Sequence, residues 1–297
     1  MLSLSRSVSV VLFSLAAPAI LAQGLANPEI RSEQVGDGLY VLFGPGSGNV
    51  LVSIGDSGVL LVDDGVPEVV AGYKEAIAGL GGGDINFVIN THGHFDHSDG
   101  NKVLGPEGVW IVAHENARQM VMRDNVINVV RTTIDQPAYA PEAWPVVTYD
   151  SSMRMHFNGD RINLIHEGPG HTDGDTAVIL TDRNLVHLGD VYINGGYPFV
   201  DADHGGSLIG IAEFCERVLA ELEPGATVVP GHGPVSDYDS LAEYAAMLRV
   251  IYERISTLVD DGASLEQLIA AQPTADWDEA KGDPSGLLDR TYASLTR

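Results

Sequence analysis

Cysteine occurs once in the 297 residues, as Cys215, so no disulfide can form within the chain. Lysine occurs only as Lys74, Lys102 and Lys281; lysine and arginine together number 16 against 41 acidic residues. The formal net charge is −25 and the pI is near 4.4. A surface of this sign repels nucleic acid and anionic lipid, which excludes a basic nucleic-acid binder and leaves a small molecule as the expected partner. Charged residues make up only 19% of the chain and hydrophobic ones 44%, enough for a packed core and unlike a disordered segment. Beyond the N-terminus, no apolar run approaches the roughly 20 residues of a membrane helix.

The N-terminus is the exception. Arg6 precedes an uncharged stretch from Ser7 to Ala22 that contains Pro18 and ends in small residues. It is too short to span comfortably and is expected to be a secretory signal occupying residues 1–22, with cleavage after Ala22 or after Ala26. Either cleavage removes Arg6, so −25 becomes −26. No cysteine stands there to take a lipid, so a periplasmic or secreted protein with no membrane insertion after signal removal is expected. An exported chain with a single cysteine uses no covalent staples.

The following residues are rich in short β-favouring runs. Leu39 to Phe43, Asn49 to Ile54 and Gly58 to Val62 are separated by glycine-rich turns, and they predict an antiparallel meander. Val66 to Leu80 predicts a helix with Pro67 in its first turn, ended by the glycines at 81–83. Ile85 to Asn90 and Val109 to Ala113 predict further strands, and a helix is expected from about Glu115. Met122 to Pro145, with Pro137, Pro141 and Pro145, is expected to be an irregular excursion. Strands are predicted again at Met153 to Phe157, Arg161 to His166, Ala177 to Leu180, Leu185 to Leu188 and Thr227 to Val229. Leu208, Ile211, Cys215, Val218 and Leu222 share one helical face, making Cys215 core filler, and Leu241 to Val259 marks a long amphipathic helix. The pattern predicts an α+β domain over 33–260, two sheets face to face with helices outside, and a helical extension over 261–297.

The strand Ile85 to Asn90 runs directly into Thr91, His92, Gly93, His94, Phe95, Asp96 and His97. Neutral imidazole is the commonest transition-metal ligand, and Gly93 lets the chain turn so that His92 and His94 face one ion while Asp96 and His97 face a neighbouring point. His171 in G-P-G-H-T-D-G-D and His232 in V-P-G-H-G-P also stand at strand ends beside glycines, and Asp190 closes the strand L-V-H-L-G-D. Five imidazoles and two carboxylates fit two divalent ions, most simply Zn2+, with a bridging carboxylate and a shared water.

These four motifs, in this order, resemble the metallo-β-lactamase superfamily from about Gly36 to about Asp237. The resemblance implies an αββα four-layer sandwich. It also implies that His92, His94 and His171 hold the first ion, that Asp96, His97 and His232 hold the second, and that Asp190 lies between them. Asp63 in L-V-D-D-G would orient the metal loop, although a simple turn former beside Gly65 fits the sequence equally well. The chemistry expected is attack on a carbonyl by hydroxide formed between the ions, with Asp96 as a ligand that also handles a proton.

Two departures bear on substrate. The familiar β-lactamases of the family have cysteine where this chain has Asp190, whereas many relatives that cleave thioesters, lactones and other esters have aspartate. Ile193 stands where those β-lactamases place a lysine that anchors a carboxylate. A small-molecule hydrolase of the lactam or lactone type is therefore expected, the alternatives being a thioester hydrolase of glyoxalase II type or a mononuclear iron sulfur dioxygenase. Flavin-linked di-iron relatives are disfavoured by His94, and a binding protein without catalysis by the complete ligand set. In the glycine-rich and aromatic segment 191–206, Tyr192, Tyr197 and Phe199 are candidate substrate walls. Asp201, Asp203 and His204 are open between binding a cation and solvating the turn. His114 is expected to serve a helix entry and His187 a structural bond.

Overall fold

The computed structural model describes residues 29–297; the expected signal segment lies outside them. β1 (Arg31–Gly36), β2 (Leu39–Phe43), β3 (Val50–Gly55) and β4 (Gly58–Val62) form the expected meander. After α1 (Pro67–Gly79), β5 (Ile85–Ile89) joins β4 in parallel. The single turns α2 (Phe95–Ser98) and α3 (Asn101–Leu104) lead to β6 (Trp110–His114) and α4 (Glu115–Val121).

The stretch expected to be irregular contains a hairpin, β7 (Asn125–Asn128) paired with β8 (Thr133–Gln136). The prolines misdirect because they stand after the second strand, at 137, 141 and 145, where they break no ladder. Ile127 pairs with Ile134 on one face, while Val126 points to solvent at 54% exposure. Asn125 supports the base by donating its Nδ2 to the carbonyls of Met120 and Arg123.

β9 (Val147–Tyr149) completes a seven-stranded sheet in the order β1-β2-β3-β4-β5-β6-β9. β10 (Ser152–Phe157), β11 (Asp160–Ile165), β12 (Ala177–Leu180) and β13 (Leu185–His187) begin the second sheet. α5 (Leu208–Glu221) precedes β14 (Thr227–Val229), which lies parallel to β13, and β15 (Ser236–Asp237) ends this six-stranded sheet. The long helix α6 (Tyr238–Asp260) starts three residues before the predicted Leu241, because the Asp237 side chain caps it by accepting from the Ser240 N–H.

Period-two alternation assigns the layers. Leu60 and Val62 face the second sheet, meeting Ile162, Leu164 and Val178 in the central core, whereas Val59 and Leu61 pack outward with Val70, Tyr73 and Ile77 of α1. Ile179, Val186 and Val228 meet α5 and α6 on the far side, where Cys215 is fully buried. The chain is thus an α+β four-layer αββα sandwich. Strands buried on both faces read as nearly continuous apolar runs.

The 261–297 segment is not a separate appendage. α7 (Leu265–Ala270), α8 (Asp278–Lys281) and α9 (Ser285–Leu295) follow, and Leu268, Leu287 and Leu288 share one cluster with α5 and α6. Among the described residues no helix is long and apolar enough to cross a membrane. Leu248 lies at the centre of the helical layer with no exposed surface. Leu248→Ala is expected to lower unfolding free energy by about 2–5 kcal/mol, measured by denaturant titration.

Candidate metal centre

The seven candidate ligands come together in the loops that follow β5, β11, β13 and β14. Residues 90–97 leave β5, and the Thr176 N–H donates to the Thr91 carbonyl, joining this loop to the one that carries His171. His94 Nδ1 lies 2.8 Å from His171 Nε2. His97 Nε2 lies 3.2 Å from His232 Nε2 and 3.0 Å from Asp190 Oδ1. His232 Nε2 in turn lies 3.2 Å from Asp96 Oδ2. The donor atoms of His92, His94 and His171 form one compact group, those of Asp96, His97 and His232 another, and His92, His97 and Asp190 a third between them.

The opposite edges of these rings are held by the fold. His97 Nδ1 lies 2.7 Å from Asp63 Oδ2, and His94 Nε2 lies 2.7 Å from Asp201 Oδ2. His171 Nδ1 donates to the Phe199 carbonyl at 2.7 Å. The Thr91 hydroxyl donates to Asp63 Oδ2 at 2.8 Å, leaving its oxygen to accept from His92 Nδ1 at 3.1 Å. The outward nitrogen then carries the proton, so a ring in its neutral form presents a lone pair inward. Lone pairs facing one another at these separations repel unless a cation stands among them. His92 Nε2 is buried with no hydrogen-bond partner, a costly condition that coordination would relieve. The residues present therefore fit a metal centre.

Electrostatics agree with this fit. Burial, reinforced by the neighbouring imidazoles, depresses the His92 pKa well below its ordinary value. Burial and His94 lower His171 to about 4. Burial opposes the charge of His97, but the carboxylates of Asp190, Asp96 and Asp63 outweigh it and hold its pKa well above the usual range. The same negative field attracts a metal ion. Asp190 is buried, yet the imidazoles of His97 and His232 overcome that penalty and keep its pKa well down.

Asp63 has the backbone φ of 63° of a turn residue, and its carboxylate also accepts the Thr91 N–H at 2.7 Å. It thus combines the two roles left open by the sequence. Asp201 accepts from both His94 and His204, each at 2.7 Å, and works as a support for the His94 ring. Asp203 pairs instead with Arg290 and Arg297. His114 caps α4 by accepting from the Asn116 N–H, and His187 Nε2 bonds the Asn49 carbonyl; neither enters the cluster.

Sequence reasoning missed Asn49, which donates its Nδ2 to the carbonyls of Pro230 and Gly233 and so fixes the His232 turn. Its only sequence signal was its place beside Gly48. A side chain at Gly48 would overlap the His97 ring, and one at Gly231 would overlap the Asp190 carboxylate, which explains glycine at both positions.

The ligands open into a cleft of about 320 Å³. Tyr197 and Phe199 line it, together with Ile193 and, from the hairpin, Ile127, Val129 and Ile134. Tyr192 does not. Its ring is 2% exposed, packs against Tyr244, and bonds Ser236 Oγ at 2.8 Å, because the residue after Val191 turns back into the helical core. Larger hollows of about 670 Å³ beside Arg254 and about 480 Å³ beside Lys74 include none of the clustered donors, so chemistry rather than size assigns the site.

Residues 35–249 match the family model of the metallo-beta-lactamase superfamily. Among similar proteins, the chain is 24% identical over 143 residues to the 2,4-dinitroanisole O-demethylase subunit alpha of a Nocardioides species, covering 48% of this chain and 40% of that one. It is 26% identical over 174 residues to a hydroxyacylglutathione hydrolase of Anaeromyxobacter dehalogenans, covering 58% and 56%. These matches span less than two thirds of either relative's own length. Among solved structures, a metallo-beta-lactamase from Pontibacter korlensis superposes with a TM-score of 0.61 at 17% identity, covering 74% of this chain and 99% of that one. The DIM-1 metallo-beta-lactamase gives 0.55 at 18%, covering 74% and 98%. At these identities the structures speak for the fold.

Asp63→Asn keeps a side chain that tolerates the left-handed backbone but replaces the carboxylate acceptor. Metal affinity is expected to fall by about 10- to 100-fold with the far-ultraviolet spectrum unchanged, measured by competition with a chromophoric chelator.

Proposed function

We propose that this chain, which belongs to the metallo-beta-lactamase superfamily, is a dinuclear zinc-dependent hydrolase of a small-molecule cyclic amide or ester. The observation that supports this reading most is the convergence of seven candidate donors, four of whose five imidazoles are oriented by hydrogen bonds on their outer edges. His92, His94 and His171 would hold one ion and Asp96, His97 and His232 the other, with Asp190 between them. Ions held there would lower the pKa of a coordinated water and polarise a carbonyl oxygen.

The remaining work falls to the protein. Asp96 lines the cleft, and although burial opposes its charge, the His97 and His232 imidazoles keep its pKa low. It can accept the proton released as water adds to the carbonyl carbon and return it to the nitrogen or oxygen that leaves. The apolar walls beside it lower the local dielectric, which strengthens charge interactions on that side of the site.

The similarity to a hydroxyacylglutathione hydrolase favours thioester cleavage as a second reading. It is placed second because none of the described residues lining the cleft is a cation that could pair with the carboxylates of a glutathione group. The segment Ser7 to Ala22 further supports an exported enzyme that meets its substrate outside the cytosol.

Purified protein is expected to hold about two zinc ions per chain and to hydrolyse a lactone or β-lactam reporter, with turnover lost on chelation and restored by zinc. His94→Ala should reduce turnover to the background rate. One iron per chain with sulfur oxidation, or turnover indifferent to chelator, would sink the reading; preference for the thioester in the same panel would establish the second one.

A further inference from the structure

The hairpin β7–β8 belongs to no ligand motif, yet it is tied directly to the metal loop. Gln136, 1% exposed, donates its Nε2 to the Gly93 carbonyl at 2.7 Å, between His92 and His94. Strand alternation then sends Ile127 and its cross-strand partner Ile134 toward the cleft, with Val129 at the start of the turn. Ile193, Tyr197 and Phe199 line the same cleft from the segment after Asp190. Ile193 is fixed in place by a bridge to His232. The Tyr197 hydroxyl, 2.8 Å from Asp278 Oδ1, is engaged by the C-terminal segment, so the ring offers its face rather than its polar tip. The polar side chains lining the cleft, apart from that hydroxyl, are the candidate ligands His94, Asp96, Asp190 and His232. The nearby cation of the hairpin turn, Arg131, is paired outward with Asp283.

We propose that the hairpin and the 193–199 segment form a subsite for an apolar group, and that the substrate is a neutral ester or lactone bearing an alkyl or aryl substituent rather than a carboxylate. This rests on the hydrolase reading above. The cleft of about 320 Å³ holds roughly ten non-hydrogen atoms at the ~30 Å³ taken up by a water molecule, enough for a short chain or one ring beside the scissile group. A substrate carboxylate would enter with no lysine or arginine to meet it and would lose its hydration against isoleucine and phenylalanine side chains.

The test uses zinc-loaded protein and two series. The first is 4-nitrophenyl esters from acetyl to octanoyl, with a carboxylate-ended ester of matched length. The second is neutral methyl ketones of increasing chain length, whose binding is followed by calorimetry without turnover. Expected are a rise in kcat/KM and in ketone affinity of about fourfold per methylene over the shorter chains, and a carboxylate-ended ester cleaved at least about tenfold more slowly than its neutral match. Val129→Lys should shift the ratio of carboxylate-ended to neutral ester by about tenfold or more toward the former, a gain that misfolding cannot produce. Ile134→Gln should flatten the chain-length profile. Equal rates for all chain lengths, or ketone affinity indifferent to length, would overturn the subsite. Ketone binding that strengthens with length while no ester, lactone or β-lactam reporter is cleaved would support the subsite and overturn the hydrolase reading instead.

Discussion

Four buried imidazoles at the strand ends commit one ring nitrogen to the fold, and the rest of the site depends on that commitment. Asp63, Asp201, the Phe199 carbonyl and the Thr91 hydroxyl receive the outward edges of His97, His94, His171 and His92. An imidazole has two nitrogens and, when neutral, one proton; fixing the proton outward leaves a lone pair inward. The acceptors come from the end of β4, the loop after β5 and the segment after Asp190. The donor set therefore exists only once both sheets are packed.

The same packing explains the positions with no freedom in side-chain size. Gly48 and Gly231 pass so close to His97 and Asp190 that a methyl group would displace those side chains. Asn49, between Gly48 and β3, connects to the His232 turn through Pro230 and Gly233. A metal centre of this kind is less a pocket lined by ligands than a junction of four loops, each stiffened by a backbone contact to another. Around it the cleft is apolar, so polarity is confined to the reacting centre and shape to the hairpin and the segment after Asp190.

Much of this was legible in the chain. Apolar runs at Leu39, Val50, Gly58 and Ile85 alternate with glycine turns because strands buried on both faces need continuous hydrophobicity, and that pattern located both sheets. The histidine motifs were legible because imidazole clustered beside glycine at strand ends has few structural uses. The hairpin at Asn125–Gln136 was not, since its two strands of four residues each alternate weakly and three nearby prolines suggest irregularity. Tyr192 was misplaced for a related reason. Its neighbours Tyr197 and Phe199 share its composition, and nothing local shows that its ring turns toward Tyr244.

The sequence by itself determined the candidate ligand types, their order and the layer architecture, because these follow from side-chain chemistry and from periodicity, which are local. Only the tertiary structure decided which nitrogen of each ring faces inward, that Asp201 supports His94 rather than solvating a turn, and that a hairpin supplies an isoleucine wall. Those are contacts between residues as far apart as Gly93 and Gln136 or His94 and Asp201, and their geometry is set by how the two sheets pack.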